Sequence, residues 1–116
     1  MSVVGRRVLI VEDNFFIAAA VSSVFEVQGA KIIGPVATVK EGLSLILRNE
    51  WIDGAVLDIN LQDTTVYPIA DALRARNVPI VFMTGYDKLS IDQAYADVPH
   101  IQKPANIELL IKALFG

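Results

Sequence analysis

Five side chains of complementary chemistry stand at the ends of apolar runs: Glu12, Asp13, Asp58, Thr84 and Lys103. Three carboxylates in one pocket repel one another, and such a site needs a cation. An all-oxygen set without His or Cys suits a hard ion, Mg²⁺ ahead of Mn²⁺ or Ca²⁺. A hydroxyl and an ammonium nearby are natural donors to phosphoryl oxygens. The chemistry this set suggests is attack of a carboxylate on a phosphoryl group, giving an aspartyl phosphate. Taken singly, each residue has a plainer reading. An acidic pair after a strand is usually a solvated turn or a helix cap, a lone Asp an Asx turn, Thr84 before Gly85 a turn residue, and Lys103 before a proline a surface lysine. Their joint occurrence at one edge of one sheet is what argues for a site.

That edge has to be built by the elements between them. The central run is Gly54-Ala55-Val56-Leu57-Asp58-Ile59-Asn60-Leu61. A continuous apolar run bounded by turn signals reads as a strand buried on both faces, with Asp58 where the strand leaves the core. Arg7 to Val11 is a β-branched first strand, ended by Glu12-Asp13-Asn14. A helix follows from Phe15, with Ile17, Ala20, Val21 and Val24 as its core stripe, Phe25 alongside, and a stop at Gly29. Lys31 to Ile33 is a second strand broken by Gly34-Pro35. Thr38 and Glu41 form a capping box for a helix that buries Val39, Leu43, Ile46 and Leu47, its end covered by Trp51. After Thr64-Thr65 comes a helix with Pro68 in its first turn, a stripe of Val66, Ile69, Ala70 and Leu73, and Asn77 as terminator. Pro79 to Met83 is the fourth strand, a short helix is expected near Lys88 to Tyr95, and Val98 to Gln102 is a poor fifth strand. The last helix starts near Asn106 and turns Ile107, Leu110, Ile111 and Leu114 inward. Strand and helix alternate five times, which implies a doubly wound α/β layer with a parallel sheet covered on both faces. In such sheets ligands collect outside the carboxyl ends of the strands, where the five candidates fall.

Composition narrows the classes. At 116 residues, 53% apolar and 20% charged, the chain suits one folded domain over residues 1–116 and not a disordered one. A net charge of −3 argues against direct nucleic-acid binding. No cysteine is present, which excludes disulfides and thiolate metal sites and fits the reducing cytoplasm. The N-terminus is too short and polar for a secretion signal, and the longest uncharged stretch, residues 14–25, is too short to span a bilayer, so no membrane partner is expected. No second domain is expected after Gly116.

The runs Val8-Leu9-Ile10-Val11-Glu12-Asp13, Ala55-Val56-Leu57-Asp58-Ile59-Asn60-Leu61, Phe82-Met83-Thr84-Gly85 and Lys103-Pro104, in this order with helices between, resemble a response-regulator receiver domain of two-component signalling. The resemblance covers essentially the whole chain. It implies a five-stranded sheet in flavodoxin-like order 2-1-3-4-5. It implies that Asp58 accepts a phosphoryl group from a histidine kinase or phosphotransfer protein and that Asp13 and Asp58 ligate Mg²⁺, with Glu12 acting through water and Asn60 through its backbone carbonyl. Thr84, with Gly85 beside it, would bond the phosphoryl group and act as the switch. Lys103 would neutralise a phosphoryl oxygen, and the Lys103-Pro104 peptide would be cis. The run from Phe82 to Tyr86 resembles stand-alone receivers, which act on a downstream protein or shuttle phosphate between kinases.

Several positions depart from the family pattern. Three residues before the lysine the family usually has Tyr or Phe; here it is His100, either a conformational switch with pH sensitivity or a plain strand histidine. Ala105 replaces a frequent Phe. The span from Thr84 to Lys103 is short, so the fourth helix should be short or irregular, which puts the usual signalling face in question. Asn60 and Tyr86 flank the path of the hydrolytic water in the family. A bulky Tyr86 would slow self-dephosphorylation, or would simply pack over the site. Phe15, off the helix stripe, marks a docking surface for a kinase or a second copy of the chain, or is one of the single exposed apolar residues common on surfaces. Alternatives are a Mg²⁺-dependent phosphatase with an aspartyl nucleophile, for which Asp58-Ile59-Asn60 lacks the usual second acid, a phosphate sink, and a degenerate receiver that only binds protein.

Overall fold

The computed structural model describes residues 3–62, 64–85 and 91–116. Tyr86, and the first part of the helix expected near Lys88 to Tyr95, lie outside the described residues. Strands β1 (Arg7–Val11), β2 (Lys31–Val36), β3 (Gly54–Asp58), β6 (Ile80–Thr84) and β7 (His100–Gln102) form one parallel sheet in the order β2-β1-β3-β6-β7. This is the flavodoxin-like order expected. Helices α1 (Phe15–Val27), α2 (Val39–Arg48), α3 (Tyr67–Ala75) and α4 (Ile107–Phe115) cover its two faces.

Strand side chains alternate between two cores, as the twofold period of a strand requires. Leu9, Val11, Ala55, Leu57, Ile80 and Phe82 meet α2 and α3 on one face. Val8, Ile10, Val56, Val81 and Met83 meet α1 and α4 on the other. β1, β3 and β6 are the central strands, and their apolar residues are buried on both sides.

Four expectations are corrected. The third strand stops at Asp58, and Asn60–Leu61 (β4) turns back to pair antiparallel with Thr64–Thr65 (β5). β2 runs on through Gly34-Pro35 to Val36; as an edge strand it tolerates a residue without an N–H, and its ladder with β1 shifts there. α1 buries Ala18, Val21, Ser22 and Phe25. Val21 and Phe25 are buried as expected, but the inward face is turned so that Ala20 and Val24 are exposed and Ala18 and Ser22 are buried in their place. α2 buries Gly42 and Ile46 and leaves Leu47 exposed, because Gly42 is where α2 meets Ile69 of α3.

Capping matches the sequence in kind. Thr38 Oγ1 accepts from the Glu41 N–H at 3.1 Å, while the Glu41 carboxylate accepts from the Thr38 hydroxyl at 2.9 Å where the expected box would have it accept from the Thr38 N–H. The end of α2 is tied down by Arg76, which donates to the carbonyls of Ile46 and Asn49 at 2.7 Å each. Trp51 instead stands exposed beneath the Arg7 guanidinium. α3 buries Ile69, Ala70 and Leu73, with Val66 buried just before it, and Asn77 follows it at φ +59°. Asn106 caps α4. Between β6 and β7 the described residues 91–99 form a 3₁₀ turn, Gln93–Tyr95.

Candidate functional site

All five candidates gather at the carboxyl edge of the sheet. β1 carries Glu12 and Asp13 just past its end, β3 ends on Asp58 and β6 ends on Thr84. Lys103 follows β7, and its N–H donates to the Thr84 carbonyl at 2.8 Å, extending the ladder and fixing the two residues side by side. Glu12, Asp13 and Asp58 each offer a carboxylate oxygen within 4.8 Å of the others. Glu12 and Asp58 are buried, and Asp13 is half-buried towards the mouth.

Lys103 Nζ lies 2.8 Å from Glu12 Oε1 and 3.2 Å from Asp58 Oδ2. Glu12 Oε2 accepts the backbone N–H of Asn14 at 3.0 Å. Asn14 is itself the N-cap of α1, its Oδ1 accepting from the Ile17 N–H. Sequence reading missed this role for Asn14, although an Asn just before a helical pattern is a cap signal.

The charges sort themselves by position. Burial, then the Glu12 side chain and its charge, push the Asp58 carboxyl up to about 7, and Lys103 only partly opposes this. Burial disfavours the charged form of Lys103, but its bond to Glu12 and the charges of Asp58 and Glu12 outweigh burial and raise it. The ammonium is thus held mainly by Glu12, and Asp58 is the carboxylate left short of compensation. Thr84 is 3% exposed, and its hydroxyl has no hydrogen-bond partner among the described residues.

The remaining candidates lie around this group. Asn60 is exposed in the β4–β5 hairpin, two residues past Asp58. Gly85 is exposed beside Lys103, with space where a Cβ would stand. The Lys103-Pro104 peptide is cis. His100 is half-buried on β7, in register with Phe82, its ring 5.4 Å from that of Phe82. A groove of about 500 Å³ opens beside Lys103, between α1 (Phe16, Ile17, Ala20, Val24) and Pro104-Ala105. Its wall is the very stripe that sequence periodicity assigned to the core. Phe15 and Phe16 pack edge to face at 5.7 Å and are 77% and 81% exposed.

Solved structures share this fold. No curated protein sequence matches the chain. Among solved structures, the solution structure of SdrG from Sphingomonas melonis Fr1 is 36% identical, with 100% of each chain covered and a TM-score of 0.84. The BeF3-activated conformation of SdrG from Pseudomonas melonis Fr1 is 38% identical over 94% of this chain and 92% of that one, with a TM-score of 0.76. A CheY-like receiver domain protein from Methanospirillum hungatei JF-1 is 29% identical over 93% and 89%, with a TM-score of 0.77. The family model for the response regulator receiver domain matches residues 8–115. Sheet order, acidic edge and sequence match agree, and the chain belongs to the response regulator receiver domain family.

Proposed function

We propose that the chain is a phosphorylatable switch in which Asp58 takes a phosphoryl group from the phosphohistidine of a histidine kinase or phosphotransfer protein. Receiver domains of two-component systems are signalling switches and not enzymes of the ordinary kind, and they interact with such donors and with downstream partners. The observation that carries the reading is the buried, undercompensated Asp58, flanked by a lysine at 3.2 Å and by a buried threonine hydroxyl with no partner among the described residues.

Receiver domains bind Mg²⁺ at an acidic pocket, and the three converging carboxylates fit a hard divalent ion. When bound, Mg²⁺ screens the approaching phosphate from the carboxylates. Asp13 and Asp58 would hold it, with Glu12 through water and Asn60 through its carbonyl. The Asp58 carboxylate attacks phosphorus, the bond to the donor imidazole breaks, and the imidazole leaves neutral. Lys103 neutralises a phosphoryl oxygen and the Thr84 hydroxyl donates to another, with Gly85 leaving room beside them. Thr84 thereby gains the partner it lacks, and the β6–β7 side of the molecule, His100 included, changes partner binding. A donor reaching Asp58 covers the neighbouring groove, where exposed Phe16 offers apolar contact. Tyr86 is proposed to slow hydrolysis of the product by shielding it, with Asn60 on the other side of the path of the hydrolytic water. The activation of SdrG by BeF3, a tetrahedral phosphoryl mimic, supports the same response here.

The test is incubation with acetyl phosphate and Mg²⁺ followed by intact mass. Wild type should gain one phosphoryl group and Asp58→Asn none. An adduct that persists in Asp58→Asn, or steady turnover of p-nitrophenyl phosphate, overturns the reading.

A further inference from the structure

The chain entering β7 is fastened to α3 by a set of contacts that the acceptor chemistry does not use. Tyr95, in the 3₁₀ turn, is buried, and its ring stacks on Tyr67 of α3 at 4.2 Å with the planes 5° apart. The Tyr95 hydroxyl donates to Asp71 Oδ1 at 2.5 Å. The Tyr67 hydroxyl oxygen accepts the Asp92 N–H at 2.9 Å. Arg74 reaches back from α3 to Asp97 at 3.1 Å and to the Ala94 carbonyl at 3.4 Å, with its guanidinium 5.7 Å above the Tyr95 ring. An aromatic stack and a hydroxyl–carboxylate bond thus join the 3₁₀ turn to α3.

These contacts are physically continuous with the acceptor site. The Phe82 ring lies 6.0 Å from Tyr95, 6.2 Å from Tyr67 and 5.4 Å from His100. Phe82 and Thr84 are two residues apart on β6, so their side chains leave the same face of the sheet. Asp58 stands opposite Met83, between them. The Thr84 hydroxyl has no bond among the described residues to hold it where it is. A shift of Thr84 towards Asp58 moves the strand segment that carries Phe82, and a close-packed interior answers such a shift by stepping between discrete packings.

We propose that the Tyr67–Tyr95 stack, with the Tyr95–Asp71 bond, is a latch that is closed in the resting protein and released when Asp58 is loaded. This rests on the reading of Asp58 as phosphoryl acceptor. By linkage, whatever loading does to the latch, the latch does in equal measure to loading. A weaker latch therefore raises affinity at Asp58, 91–98 being set free of α3 at lower cost. The latch does not answer to pH in the working range, because the bond to Asp71, with burial behind it, pushes the Tyr95 phenol up to about 12.

The experiment is a titration of full-length protein with BeF₃⁻ and Mg²⁺, followed by amide NMR at Thr84. Tyr95→Phe keeps the ring and removes the bond to Asp71; Asp71→Asn weakens the same bond from the other side. Both should bind BeF₃⁻ roughly three- to tenfold more tightly than wild type, the share expected of one charge-assisted hydrogen bond on a partly exposed carboxylate. In wild type, saturation should also abolish the ring-current shifts of the stacked tyrosines. Arg76→Ala, which loosens the end of α2, is the control: it should lower the melting temperature and leave BeF₃⁻ affinity alone, so a general loss of stability does not mimic the effect. Equal affinity in wild type and both Tyr95→Phe and Asp71→Asn, or ring-current shifts that survive saturation, overturns the latch while the acceptor reading stands. Failure of BeF₃⁻ to bind wild type at all overturns the acceptor reading and the latch with it.

Discussion

Asp58→Asn should make the metal-free protein more stable, and increasingly so as pH rises. Burial and the Glu12 charge lift the Asp58 carboxyl from 3.8 to about 7 in the folded chain. A carboxyl raised on folding holds its proton more tightly in the folded state. Its contribution to stability is complete below about pH 3.8 and is lost as pH climbs to about 7. At about 1.36 kcal/mol per pKa unit, the loss across that window is about 4 kcal/mol. Asparagine has nothing to ionise and keeps a similar shape. Lys103 retains Glu12 at 2.8 Å, so the substitution strands no charge. The stability difference, variant minus wild type, should therefore grow by about 3–4 kcal/mol between roughly pH 4 and pH 8. Urea unfolding in EDTA across that range measures it. A difference that stays flat with pH, or that falls, refutes the argument that Asp58 is the undercompensated carboxylate. Mg²⁺ should reverse the pattern, stabilising wild type most at high pH, where Asp58 is ionised and free to ligate.

Other residues of the edge give sharper contrasts. Lys103→Met leaves Glu12 and Asp58 facing each other; it should destabilise metal-free protein by about 2–3 kcal/mol near neutral pH, with most of the loss recovered in millimolar Mg²⁺, as read by thermal melts. Thr84→Val removes a buried hydroxyl that bonds nothing among the described residues, so stability should change by less than about 1 kcal/mol. The same variant should take up phosphate from acetyl phosphate yet show a much smaller NMR response along β6 and β7. Gly42→Ala puts a methyl against the buried Ile69 side chain and should cost about 1–3 kcal/mol in urea unfolding, leaving phosphoryl uptake unchanged.

How far the sequence reveals this molecule depends on what each element packs against. Strands β1, β3 and β6 are buried on both faces, so they appear as unbroken apolar runs, and the polar residue that ends each run marks the edge where the site forms. Helix faces are harder. α1 is apolar nearly all round, so two stripes fit its period equally well. Ser22 made the buried one look polar, and the competing stripe became the wall of the groove. α2 was misread for a related reason: its innermost residue, Gly42, has no side chain for a hydrophobic pattern to register, while the nearby Leu47 does. Tyr95 escaped notice because its partners Tyr67 and Asp71 lie on another element, and only tertiary packing brings the three together.

Lys103 explains how such an edge is assembled before any ion or phosphate arrives. Three carboxylates cannot share a pocket unopposed, and one ammonium at 2.8 and 3.2 Å offsets part of their charge. With Asp58 ionised, above about pH 7, what remains is a local deficit close to the charge of a divalent cation, which suits a hard ion such as Mg²⁺. In the proposed function, phosphorylation would convert the Asp58 carboxylate into an acyl phosphate, replacing one negative charge by about 1.5 to 2. Lys103 would then lose its partner at Asp58 in the same event that creates phosphoryl oxygens beside it. The N–H of Lys103 is already bonded to the Thr84 carbonyl, which ties together the backbones of the two residues proposed to donate hydrogen bonds to the phosphoryl oxygens. Arginine at position 103 would not substitute. Its planar fork favours two-point pairing with a single carboxylate, whereas the compact ammonium on a flexible stem can turn from Glu12 and Asp58 to a phosphoryl oxygen.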